Sequence, residues 1–165
     1  MRSSQRPALD VWQIASDIGN VPFTGGSTMS MTQTIDSLGL QEEVRSELEF
    51  VRLVEEGLPL ATVDELKRLG GLTDTELARI IPRRTLAHAR KQRHLSPEQS
   101  DRVALAAGAF TLAHATFLDR KKANDWMRQP NGAIDGQTPL SLLRTGSGAE
   151  LVGNVLGRIA YGVYD

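Results

Sequence analysis

The sequence predicts an all-α fold. No segment of its 165 residues combines apolar–polar alternation with the β-branched and aromatic bias of strands. From Leu40 onward, apolar residues recur instead at spacings of three or four, the period of one helix face. Four helix-start signals, a Ser or Thr followed three positions later by Glu or Gln, occur at Thr62, Thr73, Ser96 and Ser147.

Composition narrows the class of protein. The chain is 40% hydrophobic and 24% charged with a net charge of −1, as in an ordinary globular protein. Because it has no cysteine, it can form neither a disulfide nor a thiolate metal site. The N-terminal stretch "MRSSQRPALD" lacks the apolar core of a signal peptide, and no apolar run approaches membrane-spanning length. We therefore expect a cytoplasmic protein without a membrane segment.

Residues 1–36 are predicted to form a flexible arm that contains one short helix. Within it, "PALDVWQIASDIG" places an apolar stripe on one helical face: Ala8, Val11, Trp12, Ala15 and Ile18. The following "GNVPFTGGSTMSMTQT" is rich in Gly, Ser and Thr, which is typical of a linker. Two interpretations stay open, a dispensable arm or a docking helix led by Trp12.

Residues 37–94 are predicted to form a helical N-terminal region. Its first helix, in "LQEEVRSELEFVRLVEEGLP", would bury Leu40, Val44, Leu48 and Val51 and end at Gly57 and Pro59. The helix "TVDELKRLGG" would begin at the Thr62 signal, and "TDTELARII" at the Thr73 signal. Pro82, a residue favoured in a first turn, would open "PRRTLAHARKQRH".

Residues 95–165 are predicted to form a second helical region. Ser96 is predicted to start the longest helix. We expect burial of the apolar stripe on this helix to need a second copy of the chain. The stripe consists of Val103, Ala106, Phe110, Ala113 and Phe117. A short helix follows Thr138, and the Ser147 signal would start the last helix. The predicted core stripe of that helix is Leu151, Val152, Val155, Leu156 and Ile159.

Two consecutive short helices, "TDTELARI" and "PRRTLAHARKQ", have the length and polarity of a helix-turn-helix. Leu86 and Ala89 can face inward, which leaves six residues as candidates for DNA contact: Arg83, Arg84, Thr85, His88, Arg90 and Lys91. From Arg79 to His94 there are six Arg or Lys residues and no acid, a charge excess that attracts phosphate. The alternative is a solvated basic helix, and the turn "RIIPRR" is short and lacks the usual glycine.

Two stretches carry a family resemblance: "LARIIPRRTLAHARKQRHLSPEQSDRV" (77–103) and "DWMRQPNGAIDGQTPLSLLRTGSGAELVGNVLGRIAYGVYD" (125–165). On these residues the chain resembles the Xre/MbcA/ParS-type antitoxins, which pair with RES-domain toxins. The resemblance implies an all-helical, usually dimeric antitoxin with an Xre/Cro-like helix-turn-helix and a C-terminal toxin-binding region. It also implies a partner that consumes NAD, or transfers a group from it, and whose active-site cleft the antitoxin blocks. The turn between the two helices is shorter than in the repressor pattern, which counts against sequence-specific DNA binding by this chain alone.

The end of the chain, "GRIAYGVYD", is the candidate toxin-binding segment. Tyrosine is a favoured interface anchor because it offers a large area and few torsions to freeze. We expect the toxin's cleft to receive Arg158, Tyr161, Gly162, Tyr164 and the Asp165 carboxylates. In the alternative, both tyrosines pack on the core of their own chain.

The remaining signals favour neither a metal nor catalysis. His88, His94 and His114 lack the local ligand spacing of a zinc site, and no glycine-rich stretch matches a phosphate-binding loop. We therefore expect no cofactor and no enzyme activity. The leading hypothesis is an antitoxin that binds a RES-domain toxin and operator DNA, as a homodimer that matches a two-fold operator. The alternatives are a stand-alone helix-turn-helix transcription regulator and, last, an enzyme.

Overall fold

The computed structural model describes residues 30–162, which form nine α-helices. Their bounds are α1 Met31–Ser37, α2 Glu47–Glu56, α3 Ala61–Gly70, α4 Asp74–Ile80, α5 Arg83–Gln92, α6 Pro97–Phe117, α7 Arg120–Trp126, α8 Pro139–Leu142 and α9 Gly146–Tyr161. A 3-10 turn, Gly132–Ile134, lies between α7 and α8. No strand occurs within residues 30–162; a single antiparallel bridge joins Pro59 and His94. The predicted all-α fold is confirmed.

The 21-residue helix α6 lies at the centre of the molecule, and α1, α2, α3, α7 and α9 all pack against it. Val103, Ala106, Phe110 and Ala113 of its predicted stripe are fully buried. Phe117 is partly buried against Trp126, with ring centroids 5.5 Å apart. The stripe is therefore covered within one chain, and the expectation that a second copy is needed to bury it is wrong.

Two of the four predicted helix starts are confirmed. At Thr73 the hydroxyl accepts a hydrogen bond from the Glu76 amide, and the Glu76 carboxylate accepts one from the Thr73 amide. Ser96 and Gln99 exchange the same pair of bonds at the start of α6, where Pro97 occupies the first turn. The capping residues alone were therefore sufficient to predict where α4 and α6 begin.

The other two starts are wrong. Helix α3 begins at Ala61, so Thr62 lies inside its first turn and is not the cap; its buried hydroxyl donates to the Pro59 carbonyl. The cap of helix α9 lies two positions before the predicted one, because the hydroxyl of Thr145, and not that of Ser147, accepts a hydrogen bond from a first-turn amide, that of Gly148. Pro82 precedes α5 as its cap residue and does not lie in the first turn.

The predicted stripe on the first helix is only half correct. Helix α2 begins at Glu47, because the Ser46 hydroxyl accepts a hydrogen bond from the Glu49 amide and separates residues 40–46 from the helix. Leu40 and Val44 are buried in this preceding segment. Within α2, Phe50 faces the core, whereas Leu48 and Val51 are 60% and 40% exposed.

The folded region begins earlier than predicted. Residues 30–36, assigned to the arm, contribute to α1, where Thr34 and Ile35 are buried. Helix α1 is also joined to α6 by a hydrogen bond of 2.9 Å between the hydroxyls of Ser37 and Thr111. The stripe led by Trp12 lies outside the described residues.

Candidate functional site

Helix α5 presents the basic surface that the sequence predicted. Five of the six candidate DNA-contact residues are exposed, and Thr85 is half-buried; the exposed ones are Arg83, Arg84, His88, Arg90 and Lys91. Leu86 and Ala89 are buried, as predicted for the inner face. We call Arg83, Arg84, Arg90, Lys91 and Arg93 the basic surface. These five cations can attract phosphate, with Asp74 of α4 close enough to Arg83 and Arg90 to interact with them electrostatically.

The connection between α4 and α5 is unusually short. Only Ile81 and Pro82 separate the two helices, fewer than the three or four residues of a usual helix-turn-helix turn. Ile81 is extended, because proline disfavours a helical conformation in the residue before it, and Pro82 is not helical either. Ile80 and Ile81 are almost completely buried, so packing in the core fixes the angle between the helices.

Hydrogen bonds connect the segment after the C-terminal end of α5 to the segment before α3. Arg93 ends the helix in a left-handed conformation, after which the Leu95 amide donates to the Leu58 carbonyl at 3.0 Å. The Leu58 amide donates in turn to the Ser100 hydroxyl at 2.8 Å. Gly57 permits this approach, because a Cβ there would lie 2.3 Å from the Leu95 carbonyl oxygen. Both ends of the basic helix are thus held by the core.

Arg128, two residues after the end of α7, connects the helix-turn-helix to the C-terminal helices. Its Nε lies 2.8 Å from Glu76 Oε1, and its Nη2 lies 3.1 Å from Glu76 Oε2. The same guanidinium donates to the carbonyls of Gly70, Gly71 and Asn124 at 3.0–3.1 Å and 2.8 Å. The Arg128 side chain therefore links three helices: it binds carbonyls at the end of α3, the capping residue Glu76 of α4 and a carbonyl of α7.

The pKa of Glu76 reflects this contact. Burial raises the pKa of the carboxyl most strongly, but hydrogen bonds from Arg128 and from Thr73 together outweigh burial, and the pKa lies below its ordinary value. Glu76 is therefore an anion in the folded protein at neutral pH. Sequence analysis identified Glu76 only as a capping residue and missed Arg128, since 52 positions separate the two and no local spacing relates them.

The last described helix ends in an exposed tip. Gly162, in a left-handed conformation, ends α9 by donating from its amide to the Ile159 carbonyl at 3.2 Å. Arg158 is exposed and Tyr161 is 51% exposed. We call Arg158, Tyr161 and Gly162 the C-terminal tip. Tyr164 and Asp165 lie outside the described residues.

The body of α9 holds this tip on the core. Val152, Val155 and Leu156 of the predicted stripe are buried and Ile159 is half-buried, but Leu151 is exposed, contrary to the prediction. At its start α9 closely approaches the preceding helix, since a Cβ on Gly148 would lie 2.1 Å from the Leu142 carbonyl oxygen.

Neither a metal centre nor a membrane span is found in residues 30–162. No group of three or more His, Asp or Glu side chains in this range could hold a metal ion. His114 instead lies 2.9 Å from the Asn124 side-chain oxygen, and His88 lies 3.1 Å from the Gln92 amide nitrogen. None of the described helices is long and apolar enough to cross a bilayer.

The fold and its two surfaces define a helical protein with a basic helix-turn-helix and a separate C-terminal helix that ends in an exposed aromatic tip. Two family descriptions match the chain in that order. Residues 49–108 match "Antitoxin Xre-like helix-turn-helix domain". Residues 112–162 match "Antitoxin Xre/MbcA/ParS C-terminal toxin-binding domain". Both matches meet within α6.

Curated relatives agree with these matches. Antitoxin Xre of Pseudomonas putida is 31% identical over 121 residues, which cover 73% of this chain and 76% of the relative. Antitoxin Xre of Photorhabdus laumondii is 30% identical, over 67% of this chain and 78% of the relative. Antitoxin Xre of Yersinia enterocolitica is 30% identical, over 70% of this chain and 80% of the relative. The chain belongs to the Xre antitoxin family.

Proposed function

We propose that this antitoxin holds a RES-domain, NAD-consuming toxin inactive by placing its C-terminal tip in the toxin's active-site cleft. The observation that carries the proposal is the exposure of Arg158 and Tyr161 at the end of α9, inside the part that matches a toxin-binding domain. Helix α9 is anchored on α6, so the tip is presented on a rigid support. Rigid anchors lose little conformational entropy on binding.

The residue types of the tip suit a cleft built for a dinucleotide. Arg158 offers a planar set of donors for carboxylate or phosphate acceptors, and Tyr161 offers a ring that can stack where a base would bind. Farther along the chain, Tyr164 repeats the aromatic group and Asp165 adds a negative charge. A carboxylate is attracted to a site arranged to bind phosphates, as charge complementarity requires.

Co-expression with the product of the neighbouring gene, which we propose is the RES-domain toxin, tests the proposal. We expect the two chains to purify together, and mass measurement to give one fixed stoichiometry. Hydrolysis of NAD by the toxin should stop as this chain is added. If the toxin stays fully active at saturating concentrations of this chain, the proposed function is wrong.

We further propose that the basic surface binds operator DNA and that a homodimer places two copies of α5 on a two-fold operator. Support comes from the exposed cations of α5 and from the absence of acids between residues 79 and 94. Binding to DNA from the region upstream of the gene, followed by fluorescence anisotropy, tests it. The affinity should fall by orders of magnitude from about 50 to about 200 mM salt. An affinity independent of salt would contradict phosphate contact.

A further inference from the structure

An apolar groove of about 780 Å³ runs between α1, α2, α6 and α9. Met31 of α1 and Val51 of α2 line it and are exposed, and Phe50 and Leu105 add buried or half-buried apolar surface. The groove explains why Val51 departs from its predicted place in the core. Exposed apolar surface gathered in one place is typical of a binding site.

We propose that this groove binds residues 7–18 of the same chain. The sequence of this segment predicts a helix that starts at Pro7 and carries its apolar stripe on one face, led by Trp12. Asp10 and Asp17 are seven positions apart and fall on the opposite face of such a helix. The stripe can therefore enter an apolar groove while both carboxylates stay in water.

The path of the chain brings this segment to the groove. The described region begins at Ser30, and the next residue, Met31, lines the groove itself. Eleven residues, 19–29, of which six are Gly, Ser or Thr, connect Ile18 to Ser30. A flexible linker of that length spans roughly 20 Å on average. Such a tether holds the segment near the groove at an effective concentration on the order of millimolar.

Charge complementarity favours the same occupant. Three acidic residues line the groove, Glu55, Asp101 and Glu150, and its lining includes no Lys or Arg. No ion pair within residues 30–162 involves any of the three. Arg2 and Arg6 directly precede the apolar stripe. The apolar face of residues 7–18, together with the two arginines that precede this segment, thus matches an apolar groove with acidic groups.

A spin label on the segment tests the docking directly. Because the chain has no cysteine, the substitution Gln13→Cys gives one labelling site, on the face of the predicted helix opposite the stripe. In the full-length free protein, we expect the nitroxide to reduce the amide signals of Val51 and Gly153, which line the groove, by at least half. Adding Trp12→Ala to the labelled chain should restore these signals.

Substitutions on α2 supply the matched control. Val51→Lys places a cation in the groove, and we expect it to abolish the broadening at Gly153. Leu48→Lys makes the same chemical change one turn earlier, at a more exposed residue that does not line the groove, and should leave the broadening intact. Both positions are exposed, so unchanged helix content by circular dichroism is expected for both variants.

Three results would overturn the proposal. The first is absence of broadening in the free protein. The second is equal broadening when the labelled chain is mixed with an isotope-labelled chain that has no spin label, since the occupant would then come from a second copy. The third is broadening that arises only after toxin is added. None of these results depends on the toxin assay, so failure here is distinguishable from failure of the proposed function.

Discussion

Replacing Arg128 by alanine should destabilise the whole fold, because this side chain joins three helices. Its guanidinium makes two contacts with Glu76, at 2.8 and 3.1 Å, and donates to the carbonyls of Gly70, Gly71 and Asn124. The side chains of Arg128 and Glu76 are only 29% and 17% exposed. The substitution therefore leaves a largely buried carboxylate without its cation.

The magnitude follows from these contacts. A hydrogen bond that involves a charged group contributes about 1.5–3 kcal/mol, and a neutral one less. Water can replace the donor at the exposed Gly71 carbonyl, and Thr73 still donates to Glu76, so the losses do not add fully. We expect the free energy of unfolding to fall by about 2–4 kcal/mol.

Urea denaturation at pH 7, followed by circular dichroism, measures this change. Lys121→Ala in α7 is the matched control, because Lys121 also pairs with a carboxylate, that of Asp125 at 2.6 Å, but is 86% exposed. We expect the control to keep the midpoint of the parent protein. A double-mutant cycle of Arg128→Ala with Glu76→Gln should give a coupling energy of at least about 1 kcal/mol. If Arg128→Ala shifts the midpoint no more than Lys121→Ala does, the proposed connection between the regions is wrong.

Three further predictions concern the same fold and surfaces. The pKa of Glu76 is lower in the folded protein, so its contribution to stability is present above the unfolded pKa and is lost as pH falls through the folded value. The urea midpoint should therefore drop as pH falls below the ordinary glutamate pKa of about 4.3, and drop less in Glu76→Gln. Gly70→Ala would place a Cβ 2.7 Å from the ring of the fully buried Phe110 and should cost about 1–3 kcal/mol in a thermal melt, and an unchanged melting temperature would contradict the tight packing. Arg83→Ala or Arg84→Ala should weaken operator binding by about 1–3 kcal/mol, roughly 5- to 150-fold, without affecting toxin neutralisation, whereas equal loss of both in a folded variant would contradict separate surfaces.

Local signals in the sequence predicted part of this structure correctly. The caps at Thr73 and Ser96 depend on residues three positions apart, and the inward face of α5, with Leu86 and Ala89, follows from the helical period. The resemblance on residues 77–103 and 125–165 gave the family. These features are decided by neighbours in the chain or by motifs that survive in related sequences.

Features decided by tertiary contact were not predictable in this way. Periodicity places Val51 and Leu151 on an apolar face but does not say whether another helix covers that face, and both are exposed. The contact between Glu76 and Arg128 joins residues 52 positions apart, and their spacing carries no signal. The apolar groove likewise emerges only when four helices are assembled around it.

Deletion of residues 161–165 tests the central proposal most directly. The truncated chain keeps the buried part of α9, so we expect it to fold, to keep its circular dichroism spectrum and to bind operator DNA as before. Its ability to stop NAD hydrolysis by the purified toxin should be lost or reduced at least 100-fold, a loss of about 2.7 kcal/mol in binding. Full neutralisation by the folded, truncated chain would contradict the proposal that the tip occupies the toxin's active site.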